Sequence, residues 1–419
     1  MKFLESILNW YGALPSSIMI MLGILIIGLT MAKLKPFEAL KAAIYVSAGM
    51  IAMGAMTGMF CSTAIPAVMA FVQKTGINLS IVDAGIGAMQ TQVCMPLSFY
   101  PLLLPIGLVV NIILILIKFT DTFDVDIFNY FIWALTSAFI MAITNNVVYA
   151  IIGFVISEIV CLKLADLTAP AIAEQYGLEG VSIPHGNAIV FAPVGIFVNW
   201  IIEKIPALAK IDWDAEKIER RFGGMVQPST IGFFMGCLIG IVAGYKFGDT
   251  MFLGVTIAAF MIVFPKVLNV LIEGITPVAD GMREFSEKRL NRKLYIGLDA
   301  AILVGMPDVM ATGILLVPLV ILLAFILPGN KVMPLADLAI ACPFLISCCM
   351  PFCKKNIFRG LICGIFVFTI ALYVCTWTAE WYTAAAALNG LPLDAVSTSI
   401  GGSSTWLSWL VAAIFNLFA

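Results

Sequence analysis

Apolar residues in this chain do not alternate with polar ones. They run together for roughly 16–25 positions before a short polar interval intervenes, and at ~1.5 Å per residue such a run crosses the hydrocarbon core of a bilayer as a helix. The runs predict spanning helices near 15–32, 38–60, 93–118, 128–144, 146–164, 187–202, 229–246, 249–270, 311–328, 335–352, 357–378 and 404–418. This pattern predicts an all-α polytopic membrane protein with about 10–12 crossings, in one membrane domain over 1–419.

Three stretches break the pattern: residues 63–92, 164–188 and 293–313. Each mixes Gly or Pro with isolated Asp, Glu, Gln or His. Non-helical backbone survives at membrane depth only where protein or a water-filled cavity satisfies its polar groups. Interrupted segments in separate parts of a membrane chain point to a transport site.

Composition agrees with lipid as the main solvent. Hydrophobic residues make up 62% of the 419 and charged residues 11%, and the mean hydropathy is +1.05. A net charge of −2 gives no reason to expect a nucleic-acid partner. No cleavable signal peptide is expected, because Met1 to Tyr11 is mixed and the first apolar run is long enough to span. Lys33, Lys35 and Lys41, the stretches Lys204 to Arg221 and Arg283 to Lys293, and Lys354 to Arg359 are basic clusters that should face the cytoplasm. Residues near 203–222 space apolar and charged side chains as a helix on the cytoplasmic surface would, or as an ordinary solvated loop helix would. Most of the ten cysteines lie inside apolar runs, and Cys348, Cys349 and Cys353 precede Lys354 and Lys355. They are read as reduced, packed thiols. No metal-ligand spacing is present, and neither metal nor cofactor is expected.

The segment GLEGVSIPHGNAIVFAP, 177–193, holds the only histidine, His185. An ionisable residue at depth is costly and so points to function. Pro184 stops a helix and Gly186 lets a ligand approach the backbone. The other reading is a histidine at the membrane surface, hydrogen-bonded to backbone. Asp299 is a lone carboxylate in an apolar run and needs a partner or a polyhydroxyl ligand. Asp308 raises the same question or caps the helix after Pro307. Asp83, Gln90 and Gln92 flank the first broken stretch, and Glu179 lies just before His185. Carboxylates and amides are what sugar hydroxyls require, although Asp83 reads equally as a helix cap. No Walker sequence, nucleophile elbow or HExxH is present. An ion-coupled secondary transporter working through Asp299 and Asp83 would also account for the broken helices.

The motifs GLEGVSIPHG, IEKIPALAKID with RRFGG, GFFMGCLIGIVAGY, LIEGITPVAD, YIGLDAAILVG and PGNKVMPLADLA run in that order from about Gly12 to Trp406. Together they resemble the galactitol-specific enzyme IIC family of the bacterial sugar phosphotransferase system, whose superfamily includes the ascorbate IIC transporters. The resemblance implies a homodimer in the bacterial cytoplasmic membrane, with a mobile core moving the substrate past a dimer scaffold in an elevator-like motion. It implies a separate cytoplasmic IIB that carries the phosphoryl group on a cysteine, with IIA, HPr and enzyme I behind it. His185, Gly186 and Asp299 are then the main substrate contacts and Glu179 a secondary one, with His185 or Asp299 able to accept a proton. Galactitol proteins carry His and Thr after LLLG, where this chain has Met306 and Pro307. The segment after VDAG also differs, reading IGAMQTQVCM. The substrate implied is therefore galactitol or a related polyol or sugar.

Overall fold

The computed structural model describes residues 16–418 apart from 31, 76–78, 125, 214–227, 290–293, 335–337, 391, 392 and 394. It is an all-α membrane protein. Among the described residues four segments are long and apolar enough to cross a membrane: Val147–Tyr176, Gly186–Lys204, Pro307–Ile326 and Ile357–Leu388. Shorter apolar helices accompany them. Residues 214–222 of the stretch near 203–222, and most side chains of the Arg283 to Lys293 cluster, lie outside the described residues or side chains.

One order of elements occurs twice. In the first half α1 (Ser16–Thr30) and the long α2 (Pro36–Thr75) lead to β1 (Ile81–Asp83), the single turn α3 (Gly85–Ala88), a π-helical turn (Met89–Cys94) and α4 (Tyr100–Leu116). Then come β2 (Thr122–Asp124), α5 (Ile127–Thr144), α6 (Val147–Tyr176), β3 (Val181–Ser182), α7 (Gly186–Ile189) and α8 (Ala192–Lys204), with α9 (Pro206–Ala209) as a connector. The second half repeats this with α10 (Pro228–Ala243), α11 (Phe247–Arg289), β4 (Tyr295–Gly297), α12 (Ala301–Val304) and α13 (Pro307–Ile326). It continues with β5 (Val332–Met333), α14 (Leu338–Ser347), α15 (Ile357–Leu388), β6 (Ser397–Thr398), α16 (Ile400–Ser403) and α17 (Trp406–Asn416). Repeats of this kind are how many transporter folds are built. The long helices α2 and α11 pack on each other.

The broken stretches are partly more regular than their composition implies. Helix α2 runs through Pro66 to Thr75, and α6 runs through Pro170 to Tyr176. A proline removes one N–H, and packed neighbours in a membrane bundle tolerate the loss. The real breaks are the strands and the four-residue helices that follow them. Backbone at these breaks is satisfied by two small parallel sheets, ordered β5-β1-β6 and β2-β4-β3. Each sheet takes its central strand from one half and both edges from the other. The sequence gives no strand signal because pieces of two or three residues carry no periodicity.

The two families of hairpins enter from opposite faces. Glu203, next to the end of α8, meets Lys354 and Arg359 near the start of α15, which marks the basic face. Tyr176, ending α6, lies under the Lys355 ammonium on that same face. The β3–α7 hairpin therefore starts from the basic side. Helix α15 then carries the chain across, so the β6–α16 hairpin returns from the other side. The tips meet: the Asn187 side-chain amide donates to the Gly401 carbonyl, and the Trp406 indole N–H donates to the Val190 carbonyl at 2.7 Å. Behind the tips Trp133 contacts Tyr130 and Phe154 edge-on, at 4.9 and 6.2 Å between ring centres. The nine described cysteines are buried free thiols.

Candidate functional site

The β2–α5 junction supplies the frame of the site. Asp126 caps α5, its Oδ1 accepting from the Phe128 N–H at 3.0 Å. Such a cap stabilises a helix by about 1 kcal/mol. Its other oxygen, Oδ2, accepts from the Asp299 N–H at 3.2 Å and so ties the first half to the β4–α12 turn of the second. Asp124, at the end of β2, accepts on Oδ1 from the Asn129 amide at 2.9 Å and from the Asp126 N–H at 3.2 Å. Its own N–H donates to Asn111 Oδ1 at 2.9 Å.

These contacts fix the imidazole. Because the Asn129 NH2 is spent on Asp124, its carbonyl oxygen faces His185 Nδ1 at 2.9 Å. Nδ1 is then the protonated nitrogen and Nε2 keeps its lone pair. Asp299 Oδ1 lies 3.5 Å from the same Nδ1 and also accepts from the Ala301 N–H at 2.9 Å. The Asp299 side chain is 15% exposed against 4% for His185, so Asp299 is the more accessible of the pair. The site offers a carboxylate oxygen and an imidazole lone pair, both acceptors suited to hydroxyl donors.

Gly186 is required by packing. A Cβ there would fall 2.7 Å from Ile132 Cγ2. The glycine expected to admit a ligand therefore also lets α7 press onto α5. Gly297 serves similarly, since its absent Cβ would lie 2.9 Å from the Asp124 Cα.

The remaining candidates lie elsewhere. Asp83 is buried, its Oδ1 accepting from the Gly85 N–H at 3.2 Å and the Ile400 N–H at 3.1 Å. It caps its own turn and also reaches the opposing hairpin tip. Gln90 and Gln92 sit on the π-helical turn, where Asn389 donates to the carbonyls of Gln92 and Val93 at 3.0 and 2.9 Å. That places them near the far end of α15 from the basic face. Glu179 is exposed in the turn before β3. Asp308 accepts the Tyr176 hydroxyl at 2.7 Å in the first turn of α13. Among the described residues no group of His, Cys, Asp or Glu is arranged to hold a metal ion.

Asp124, Asp126 and Asn129 were not recognised in the sequence. TFDVDIFNY reads as a polar link before an apolar run. The available signal was two aspartates one residue apart, with an asparagine three further on inside the first helical turn.

Comparison with known proteins places the chain in a family. The family model described as PTS system sugar-specific permease component, EIIC-GAT, matches residues 15–395. A putative permease IIC component of Escherichia coli (strain K12) is 32% identical over 383 residues, 91% of this chain and 87% of that protein. The PTS system galactitol-specific EIIC component of Escherichia coli (strain K12) is 31% identical over 385 residues, 91% of this chain and 85% of its own length.

Proposed function

The chain belongs to the EIIC-GAT family of PTS sugar-specific permease components, and on that premise we propose that it carries galactitol or a closely related polyol across the bacterial cytoplasmic membrane. The substrate sits at the meeting of the hairpin tips, where Asp299 and His185 accept hydroxyl hydrogen bonds. The observation carrying this reading is the Asp124–Asn129–His185–Asp299 chain of contacts, which leaves two acceptors in a helix break.

A separate IIB, bearing phosphocysteine, delivers the phosphoryl group from the cytoplasm. The attacking hydroxyl oxygen forms a bond to phosphorus while the S–P bond breaks and the thiolate leaves. The hydroxyl proton goes to His185 Nε2 or the Asp299 carboxylate. Phosphoryl transfer depends chiefly on positioning and charge, so orientation of the hydroxyl is the main task of these two residues. The protein works as a homodimer, its hairpin core moving against the scaffold of long helices.

Equilibrium binding of a panel of labelled polyols to purified protein tests the reading. Saturable binding of galactitol or a near relative, lost in Asp299→Ala and His185→Ala, supports it. Binding of none of them overturns it.

A further inference from the structure

The loops entering α6 and α15 differ in length but end alike, in a left-handed residue and a capping asparagine, and only one of them carries charge there. In the first half α5 ends at Thr144, Asn145 takes a left-handed conformation with φ 48°, and Asn146 caps α6. In the second half Lys354 and Lys355 are left-handed, with φ 57° and 56°, and Asn356 caps α15. Asn145 and Lys355 are therefore equivalent, each the left-handed residue before a capping asparagine. Left-handed backbone suits asparagine and disfavours lysine. Lys33, Lys118 and Lys354 share that conformation, so what marks Lys355 out is where its ammonium lies.

The two faces differ accordingly. On the outer face a cavity of about 280 Å³ is bordered by Ser98, Asn145 and Asn389, all neutral. At the inner face Lys355 Nζ lies 5.0 Å above the Tyr176 ring. Tyr176 is itself pinned by its hydroxyl to Asp308, at 2.7 Å. Asp308 lies within electrostatic reach of Lys355. Lys354 is neutralised, 2.7 Å from Glu203, which Arg359 also approaches at 2.5 Å. Among the described residues Lys355 has no ion pair. It is half-buried on an aromatic platform, with its remaining donors available. The general excess of basic residues on a cytoplasmic face requires neither the left-handed backbone nor the ring beneath the ammonium.

We infer that Lys355 is a positioning residue for the phosphoryl group at the inner face, its ammonium drawing in phosphate oxygens on the donor or on the newly made polyol phosphate. The inference rests on the reading that this face is where the polyol is phosphorylated. Lys355 keeps its proton throughout and supplies charge only.

The test uses the full-length protein with separate phospho-IIB and the substitution Lys355→Asn, which installs the residue the outer loop already uses. Polyol affinity should stay within about twofold, while the KM for phospho-IIB should rise about tenfold, the size of one charge-assisted contact. Raising the salt should shrink that difference, which a structural defect would not do. Lys355→Arg should restore most of it. Direct binding of polyol phosphate separates the two sources: weakened binding assigns the charge to product as well as donor, and unchanged binding assigns it to the donor alone. Wild-type KM and wild-type polyol phosphate affinity in Lys355→Asn would overturn the inference by itself. A wild-type protein that binds polyol yet yields no phosphorylated product with phospho-IIB would overturn the underlying reading, and the inference with it.

Discussion

Asp83 and Asp299 hold the same place in the two halves. Each lies two residues before a four-residue helix, and the Oδ1 of each accepts from the backbone N–H two residues on, at 3.2 Å from Gly85 and 2.9 Å from Ala301. Each also meets a hairpin tip: Asp83 the Ile400 N–H and Asp299 the His185 ring. What differs is that Asp83 is 3% exposed, while the Asp299 side chain is 15% exposed.

The pair should therefore respond differently to the same change. Asp83→Asn keeps an acceptor oxygen for both backbone donors and should leave thermal stability in detergent nearly unchanged. Asp83→Ala strands those donors and should cost about 1–3 kcal/mol. Asp299→Asn should fold normally but lose polyol affinity by about tenfold or more, the worth of a hydrogen bond to a charged group. Unfolding curves set beside binding isotherms decide the matter, and identical behaviour of the two asparagine variants would contradict it.

Asn129 orients the imidazole and is expected to have no contact with the polyol. Asn129→Leu removes the Nδ1 acceptor and leaves Asp124 without its amide donor. Turnover to polyol phosphate should fall by roughly 10–100-fold, on the scale of about 1–3 kcal/mol for an orphaned buried group. Single-turnover rates at saturating polyol measure this directly, and an unchanged rate would remove Asn129 from the site.

Gly186 gives a purely steric prediction. Gly186→Ala places a methyl 2.7 Å from Ile132 Cγ2 and should destabilise by about 1–3 kcal/mol. Adding Ile132→Ala relieves the clash while opening a cavity of its own, so it should restore polyol binding without full stability. If the double variant folds but still binds no polyol, the glycine also serves the ligand.

Energy coupling separates this protein from an ion-driven carrier. In vesicles supplied with phospho-IIB, dissipating the proton and sodium gradients should leave the rate of polyol phosphate formation unchanged. Loss of uptake on adding a protonophore, with phospho-IIB still present, would favour coupling through the buried aspartates.

The sequence revealed residues that interrupt apolar runs. His185, Asp83 and Asp299 were visible because water-free surroundings make a lone polar group expensive. Asp124, Asp126 and Asn129 lie where one run ends and the next begins, and polar residues there look like an ordinary connection. The duplication was hidden for another reason. The turns VDAGIGA and GLDAAIL share an aspartate before a short helix, but the tips SIPHGNA and STSIGGS share almost nothing. Only the order of elements repeats, and order is not a property of any short window. The left-handed lysines were equally out of reach, since nothing in CKKNIF announces a positive φ.

The crossed sheets also set a timetable for biosynthesis. Among the described residues strand β1 finds its neighbours in β5 and β6, both in the second half. The first of these leaves the ribosome roughly 250 residues later, which at ~5–20 residues per second is a delay of about 12–50 s. Through that interval the β1 backbone has no permanent hydrogen-bonding partner in or near the bilayer. A first half made alone would keep that deficit indefinitely. Gene fission between the halves would succeed only where both pieces are inserted side by side at nearly the same time.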